Sequence, residues 1–430
     1  MDFTLPDHLT RLLADMDAFI ESDIKPLEND NLQYFDHRRE NARTDWDNDG
    51  TPRPEWEALL TEMRSRADRA GWLRYGLPSR FGGRDGSNLD MAVIREHLAH
   101  KGLGLHNDLQ DESSIVGNFP QVIMMDRFGT EEQKRDWIEA LITGRRSMAF
   151  GLTEPKHGSD ATWMETTAVP DGDDWIINGQ KIWTTGAHYS DHAILITRTD
   201  PTLPKHKGLT MFFLDMRSHG VEVRPIKQAG GHSGFNEVYF TNVRIPDTQR
   251  LGKVNDGWNV SLTTLMNERF SIGARLVTGV PEFFSLATQI RLADGSRAID
   301  GKSVRSRLAN WAARANGLKY TSYRAISSLS RGEMPGPENS IGKLVAASMM
   351  QDIAMYGAEL QGPMGAVSRD DASPAGRLYQ MLFSAVGLRI AGGTDEIMRN
   401  IIAERVLGLP GDVRVDKDVP FNKIPTSGRG

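Results

Sequence analysis

The spacing of apolar residues divides the chain into a helical stretch, a strand-rich stretch and a second helical stretch. Leu9, Leu12, Leu13, Met16, Phe19 and Ile20 recur at helical intervals, which predicts a helix within 7–28 that Pro26 brings to its end. Residues 31–54 are polar, with Asp47-Asn-Asp-Gly50 and two prolines, and read as a long loop. Helices are expected near 55–70, 89–100 and 116–128, with a turn-rich segment at 76–83. Thr130-Glu-Glu-Gln133 has capping-box spacing and opens a helix to about 143. The period then changes to two. Strands are expected at 147–152, 165–170, 174–178, 180–185, 191–197, 209–215, 221–225 and 237–245. After Gly257 the helical period returns over 258–291, 302–331, 339–361 and 374–408, with a break at Arg331-Gly-Glu-Met-Pro-Gly-Pro337. The polar residues after Pro410 are expected to be extended or disordered. The resulting division is a helical domain over 1–145, a β-domain over 146–255, a helical bundle over 256–410 and a tail over 411–430.

Composition narrows the chemistry. The 430 residues, 39% hydrophobic and 25% charged, suit a globular protein of one very large domain or two to three ordinary ones. A net charge of −6 without a basic stripe argues against nucleic-acid binding. There are no cysteines, so disulfides, thiolate metal sites, iron–sulfur clusters and cysteine nucleophiles are excluded. The sequence Met1-Asp-Phe-Thr4 lacks the basic and apolar regions of a signal peptide. No run of about 18 apolar residues predicts a membrane span. A cytoplasmic location is expected. His97, His100 and His106, and the pair His188 and His192, lack metal-site spacing with carboxylates. Ser340-Ile-Gly-Lys343 has no companion Lys-Thr-Gly motif, and Gly230-Gly-His-Ser-Gly234 lacks the setting of a dinucleotide loop.

Two stretches at the edges of β-rich segments carry the candidate chemistry: Phe150-Gly-Leu-Thr-Glu-Pro-Lys-His-Gly-Ser-Asp160 and Ile177-Asn-Gly-Gln-Lys-Ile-Trp-Thr-Thr-Gly186. Threonine and serine hydroxyls donate without adding charge. Tryptophan covers a large planar surface, and a glycine admits a ligand close to the backbone. Such residues suit a flat cofactor with a polar edge. An ordinary β-turn with a core tryptophan would read the same way in isolation.

Four motifs in order resemble the acyl-CoA dehydrogenase superfamily. They are Pro78-Ser-Arg-Phe-Gly-Gly83, Phe128-Gly-Thr-Glu-Glu-Gln-Lys134, Gly151-Leu-Thr-Glu-Pro-x-x-Gly-Ser-Asp160 and Gly393-Thr-Asp-Glu-Ile-Met-Arg-Asn400. The resemblance covers roughly residues 70–410. It implies an α+β fold with an N-terminal helical domain, a middle antiparallel β-domain and a C-terminal four-helix bundle. It also implies FAD as cofactor and dehydrogenation of an acyl-CoA to a trans-2-enoyl-CoA, with a carboxylate taking the α-proton and flavin N5 the β-hydride. By resemblance, Phe150, Leu152, Thr153, Gly158, Ser159, Trp183 and Thr185 line the flavin, with Ser159 also near substrate. Thr394 and Glu396 supply flavin contacts from the C-terminal domain, and Gly393 contacts substrate. Glu359-Leu-Gln-Gly-Pro-Met-Gly365 resembles the turn that meets a neighbouring subunit's flavin, which carries over Gly362 alone because Pro363 replaces a usual glycine.

Two departures shape the expectation. Many family members have the catalytic Glu two residues before the motif's Thr, and that position here is Gly392. Isovaleryl- and long-chain-type members place it before an Arg on an earlier helix, which selects Glu268 in Met266-Asn267-Glu268-Arg269. Asn267 and Arg269 are then expected near the CoA moiety. The alternative for Glu268 is a solvated residue or a pair with Arg275. The arginine motif that commonly holds the flavin pyrophosphate is missing, and the spacing does not choose between Arg291 and Arg297. Relatives lacking it include subunits of heteromeric dehydrogenases that act on bulky, branched or steroid side-chain thioesters. By analogy, the resemblance implies a bulky acyl group rather than a long straight one. Expected partners are an acyl-CoA, an electron-transfer flavoprotein or similar acceptor, and further copies in a dimer or tetramer built through the bundle. The competing readings are a flavin-dependent monooxygenase on the same fold and a partner-dependent subunit of a heteromeric dehydrogenase.

Overall fold

A computed structural model describes residues 4–34, 44–45, 51–102, 104–108, 113–230, 233–263, 279–330, 336–367 and 373–425. The chain forms two compact units. One is helical and comprises Met1–Arg39, Arg66–Gly117 and Arg269–Gly411; the other holds the main sheet and comprises Glu40–Ser65, Asn118–Glu268 and Asp412–Gly430.

The first helix, α1 (Asp7–Phe19), runs through a π-turn at Ile20–Ile24 into α2 (Lys25–Asn29). Pro26 does not stop it. It sits in the first turn of α2, where a missing N–H costs little. Leu9, Met16, Ile20 and Ile24 are fully buried, so the apolar stripe of the sequence is the packed face. Helix α3 (Pro54–Arg69) follows, then α4 (Asn88–Lys101), whose start is fixed by a reciprocal Ser87–Asp90 capping box.

In the β-rich unit, α5 (Pro120–Phe128) and α6 (Glu131–Thr143) precede the sheet. The capping box at Thr130 forms as the spacing predicts: the Gln133 N–H donates to Thr130 Oγ1 at 3.2 Å, and the Thr130 N–H donates to Gln133 Oε1 at 2.9 Å. Gln133 Nε2 also donates to the carbonyls of Thr248 and Arg250, at 2.7 and 3.0 Å. The cap thus ties the helix to the sheet edge.

The main sheet has eight strands: β1 (Met148–Gly151), β2 (Thr167–Asp171), β3 (Asp174–Lys181), β4 (His192–Arg198), β5 (Leu209–Asp215), β6 (Val221–Ile226), β7 (Phe235–Pro246) and β8 (Arg250–Leu251). Their order is β6-β7-β3-β2-β4-β5-β8, with β1 also on β4. The expected antiparallel domain is in fact mixed. β1 runs parallel to β4, and β2 meets β4 in parallel at Thr167 and Arg198. A parallel pair needs a long crossover, and the stretch between Gly151 and His192 supplies it. The two strands expected at 174–178 and 180–185 are one strand ending at Lys181, because Gly179 stays paired with Phe240. Trp175, Ile177, Leu195, Phe212, Leu214, Val238 and Phe240 fill the core between the strands' inner faces.

Residues 257–263 are helical, and α7 (Val280–Gln289) covers the end of the helix expected over 258–291. Helices α8 (Lys302–Ser330), α9 (Asn339–Leu360) and α10 (Pro374–Leu388) pack with α7 around Phe283, Leu286, Trp311, Met349, Ile353 and Leu378. The helix expected to run unbroken over 374–408 is interrupted. Gly392 and Gly393 take positive φ values of 65° and 102°, after which Thr394 caps α11 (Asp395–Ile401). The tail is also ordered in part. In the β-rich unit, Pro420 pairs with Pro204 and Ile424 is buried. No described helix is long and apolar enough to cross a membrane.

Candidate active site

The two motif stretches of the β-rich unit are joined at their roots. The Ile182 N–H donates to the Thr153 carbonyl at 2.9 Å, and Lys181 Nζ donates to the Leu152 carbonyl at 3.2 Å. Phe150 lies in β1; it, Leu152 and Thr153 are half-buried, whereas Gly158 and Ser159 are exposed. A Cβ added at Gly158 would meet nothing within 4 Å. The loop therefore presents open space at that position, and packing within the fold gives no reason for a glycine there.

Beneath the loop lies a buried ion pair. Lys181 Nζ is 2.8 Å from Glu154 Oε1, and the two side chains are 0% and 5% exposed. Glu154 also accepts the N–H groups of Glu165 and Thr166, at 2.6 and 2.9 Å. Burial works to raise the carboxyl's pKa. The Lys181 ammonium and the two backbone donors outweigh it and hold Glu154 below its ordinary value, hence ionised. The ion pair so gathers Leu152, through Lys181, and Glu165 and Thr166, through Glu154, which are the two ends of the loop that carries Gly158 and Ser159.

Beyond Lys181 the chain turns outward. Trp183 adopts φ 60°, a left-handed conformation that costs a bulky residue about 1–3 kcal/mol. It remains 52% exposed, with its ring edge-on to Phe235 at 5.8 Å. Thr185 is exposed as well, while Thr184 between them is buried. The turn is pinned to the start of β7: the Thr184 N–H donates to the Asn236 carbonyl at 3.1 Å, Asn236 Nδ2 to the Thr184 carbonyl at 2.9 Å, and the Gly186 N–H to the Gly234 carbonyl at 2.8 Å. Among the described residues, the buried hydroxyls of Thr184 and Ser233 have no hydrogen-bond partner. A strained, outward tryptophan and an exposed threonine fit a planar, polar-edged group. Covering the exposed half of Trp183 is worth about 2–3 kcal/mol, enough to offset its strain.

The C-terminal candidates lie in the helical unit. Thr394 caps α11, its Oγ1 accepting the Ile397 N–H at 3.2 Å. Glu396 is exposed and 3.8 Å from Arg399. At Gly393 a Cβ would come within 2.5 Å of Met398 Cε, and φ is +102°, so only glycine suits the turn. Lys343 Nζ donates to the Gly393 carbonyl at 2.6 Å and lies 3.6 Å from the buried Asp395, which also accepts Arg389 Nε at 2.6 Å. Gly362 follows the far end of α9. From Lys343 to Gly362 the helical rise amounts to about 28 Å, so one chain does not bring Gly362 and Thr394 together. Arg297 is paired with Asp300 at 3.1 Å, and Arg291 donates to the Gly295 carbonyl at 3.2 Å. Asn267, Glu268 and Arg269 lie outside the described residues. Among the described residues, no three His, Asp or Glu side chains cluster as a metal site.

Three supports have no role in the sequence pattern. Lys181 and Glu154 lie within the motifs, and Trp175, Ile177 and Lys181 share the alternating inward face of β3. Ser340-Ile-Gly-Lys343 has the spacing of a nucleophile motif, yet Lys343 holds the Gly393 turn. Gly230-Gly-His-Ser-Gly234 is no dinucleotide loop, yet its end anchors the Trp183 turn. The last two signals are long-range and have no local pattern.

Three acyl-CoA dehydrogenase domain models match the chain: the N-terminal domain over 32–145, the middle domain over 149–243 and the C-terminal domain over 255–407. The chain is 32% identical over 380 residues to the acyl-CoA dehydrogenase IpdE1 of Mycobacterium tuberculosis, covering 85% of this chain and 92% of that one. It is 34% identical over 366 residues to FadE34 of the same organism, covering 83% of this chain. It spans only about half of FadE34, 48% of its length. Among solved structures, the Tcur3481-Tcur3483 steroid ACAD superposes with a TM-score of 0.78 at 25% identity, covering 96% of this chain and all of that one.

Proposed function

Because the chain belongs to the acyl-CoA dehydrogenase family, we propose that it binds FAD and oxidises the Cα–Cβ bond of a bulky or branched acyl-CoA, with Glu268 as general base. The observation that carries the reading of the cofactor site is Trp183, held strained and half exposed beside a loop left open at Gly158. Bound FAD supplies the acceptor for the β-hydrogen. The chain's own residues do the rest. Trp183 covers the ring, and Thr153, Ser159 and Thr185 present hydroxyls without adding charge. Ser159 and Gly393 face the substrate, and Asn267 and Arg269 hold the CoA moiety. Glu268 takes the α-proton, a task that a desolvated carboxylate performs near neutral pH.

The backbone at Gly392 supports a base placed elsewhere. Its φ of 65° is unfavourable for a glutamate, so the position is poorly suited to the commoner arrangement. The steroid substrate class in the name of the Tcur3481-Tcur3483 enzyme favours a bulky acyl group. The paired names in that enzyme's description favour work in an assembly; an electron-transfer flavoprotein as acceptor and a cytoplasmic location complete the proposal. Glu268→Gln tests the reading: turnover of a branched acyl-CoA with an artificial acceptor should fall about a hundred- to ten-thousandfold while FAD stays bound. Near wild-type turnover in the folded variant overturns the assignment. Gly392 also motivates a second reading, a flavin-dependent monooxygenase. Fast reaction of the reduced protein with oxygen, coupled to hydroxylation, favours that reading; slow reaction with acyl-CoA bound removes it.

A further inference from the structure

The C-terminal tail packs on the loop that carries Gly158 and Ser159. Lys205 Nζ bridges two carboxylates, Asp160 at 2.6 Å and Asp416 at 2.7 Å. Asp160 closes the glycine–serine motif; Asp416 belongs to the tail. Burial acts to lower the Lys205 pKa, but the two carboxylates outweigh it and raise it above its ordinary value. Five residues on, the Phe421 ring lies over the Arg198 guanidinium at 4.0 Å and edge-on to Trp163 at 5.3 Å. Arg198 is only 3% exposed, and it is spent on the same loop system: it donates to the carbonyls of Thr162, Met164 and Lys205, at 2.8, 3.3 and 2.8 Å. Backbone bonds seat the tail, from the Phe421 N–H to the Leu203 carbonyl at 2.9 Å and from the Asn422 N–H to the Pro201 carbonyl at 3.0 Å.

Arg198 therefore grips the far side of the loop from within the fold, and the tail closes over it from outside. We propose that Asp416 and Phe421 are positioning residues for cofactor binding: they hold the Asp160–Met164 side of the loop so that Gly158 and Ser159 are pre-set for the flavin. Glu154 and Lys181 fix the loop's roots, whereas the tail fixes its outer limb. The inference rests on the reading of this loop as the flavin site. It assigns a role in that site to residues outside the matched domain models, whose C-terminal match stops at 407. A loop released from the tail must be re-ordered by the cofactor, and each residue so ordered costs about 1–2 kcal/mol, or roughly tenfold in affinity.

The test compares the wild-type chain with Asp416→Ala/Phe421→Ala, and with Asp416→Glu as the conservative variant. Two measurements are made: the FAD dissociation constant of deflavinated protein by fluorescence titration, and the rate of tryptic cleavage after Lys156 without FAD. In the double variant the dissociation constant should rise about tenfold and cleavage should quicken, with far-ultraviolet circular dichroism unchanged; Asp416→Glu should restore both to within about twofold. If the double variant binds FAD and resists trypsin as wild type does, the proposal is overturned. If wild type binds no FAD, the flavin reading of the site fails instead. The cleavage rates then still decide whether the tail holds the loop.

Discussion

Lys181→Met is the most direct probe of how the loop is held. Methionine keeps the unbranched length of lysine and deletes the ammonium. The buried Glu154 carboxylate is then left with its two backbone donors and no cation bonded to it. Removing one partner of a buried pair costs about 3–5 kcal/mol, because the remaining charge stays out of water. For the β-rich unit, about 2–4 °C of melting temperature per kcal/mol translates this into a drop of roughly 6–20 °C. A second variant, Lys181→Met/Glu154→Gln, removes the stranded charge but keeps an amide oxygen for one backbone N–H. It should recover at least about half of the loss, since a buried pair replaced as a unit is often nearly neutral. Thermal melts of the four members of this cycle measure the coupling, and visible absorbance after gel filtration reports retained FAD. If Lys181→Met melts with wild type, or if the two single changes simply add, the pair does not hold the loop and the reasoning is wrong.

Further predictions rest on single features. Trp183→Gly removes the left-handed strain and the ring together, so stability should change by less than about 1 kcal/mol while FAD affinity falls about 30- to 150-fold, the equivalent of 2–3 kcal/mol of lost coverage; unchanged affinity in a titration would remove Trp183 from the site. His106 is 1% exposed, and burial pushes its pKa down from 6.5 to about 4. The folded state thus keeps it neutral while the unfolded chain protonates near 6.5, so the stability it contributes is complete above that pH and is lost as pH falls toward 4, by about 3 kcal/mol in all. Melts across this window should slope less steeply in His106→Leu; equal slopes would assign the acid sensitivity elsewhere. Gly393→Ala should cost about 1–3 kcal/mol of stability from its positive φ, plus the clash with Met398, and a melt within error of wild type would show that the turn relaxes freely.

What could be read in advance was local. Thr130 and Gln133 lie three residues apart, and the box they form depends on little else. The inward face of β3 was legible for the same reason, since alternation is a property of consecutive residues. The parallel seat of β1 was not legible, because it depends on where a long connection returns. Nor was the break at Gly392 and Gly393, where apolar spacing continues across a turn that only backbone angles reveal. The tail looked disordered because it is polar. Its hold comes from one carboxylate and one ring meeting partners more than 200 residues earlier in the chain.

The length of α9 has a genetic consequence. Lys343, which holds the Thr394 turn, and Gly362 lie about 28 Å apart along it, so Gly362 and the Thr394 turn of one polypeptide serve different catalytic centres if both contact flavin in an assembly. Two alleles, one damaged only at Gly362 and the other only at Thr394, would each be inactive alone. Co-expressed, they would form mixed particles in which one centre receives both intact elements and its counterpart receives neither. On that reading, partial recovery of activity between two null alleles follows from the span of a single helix.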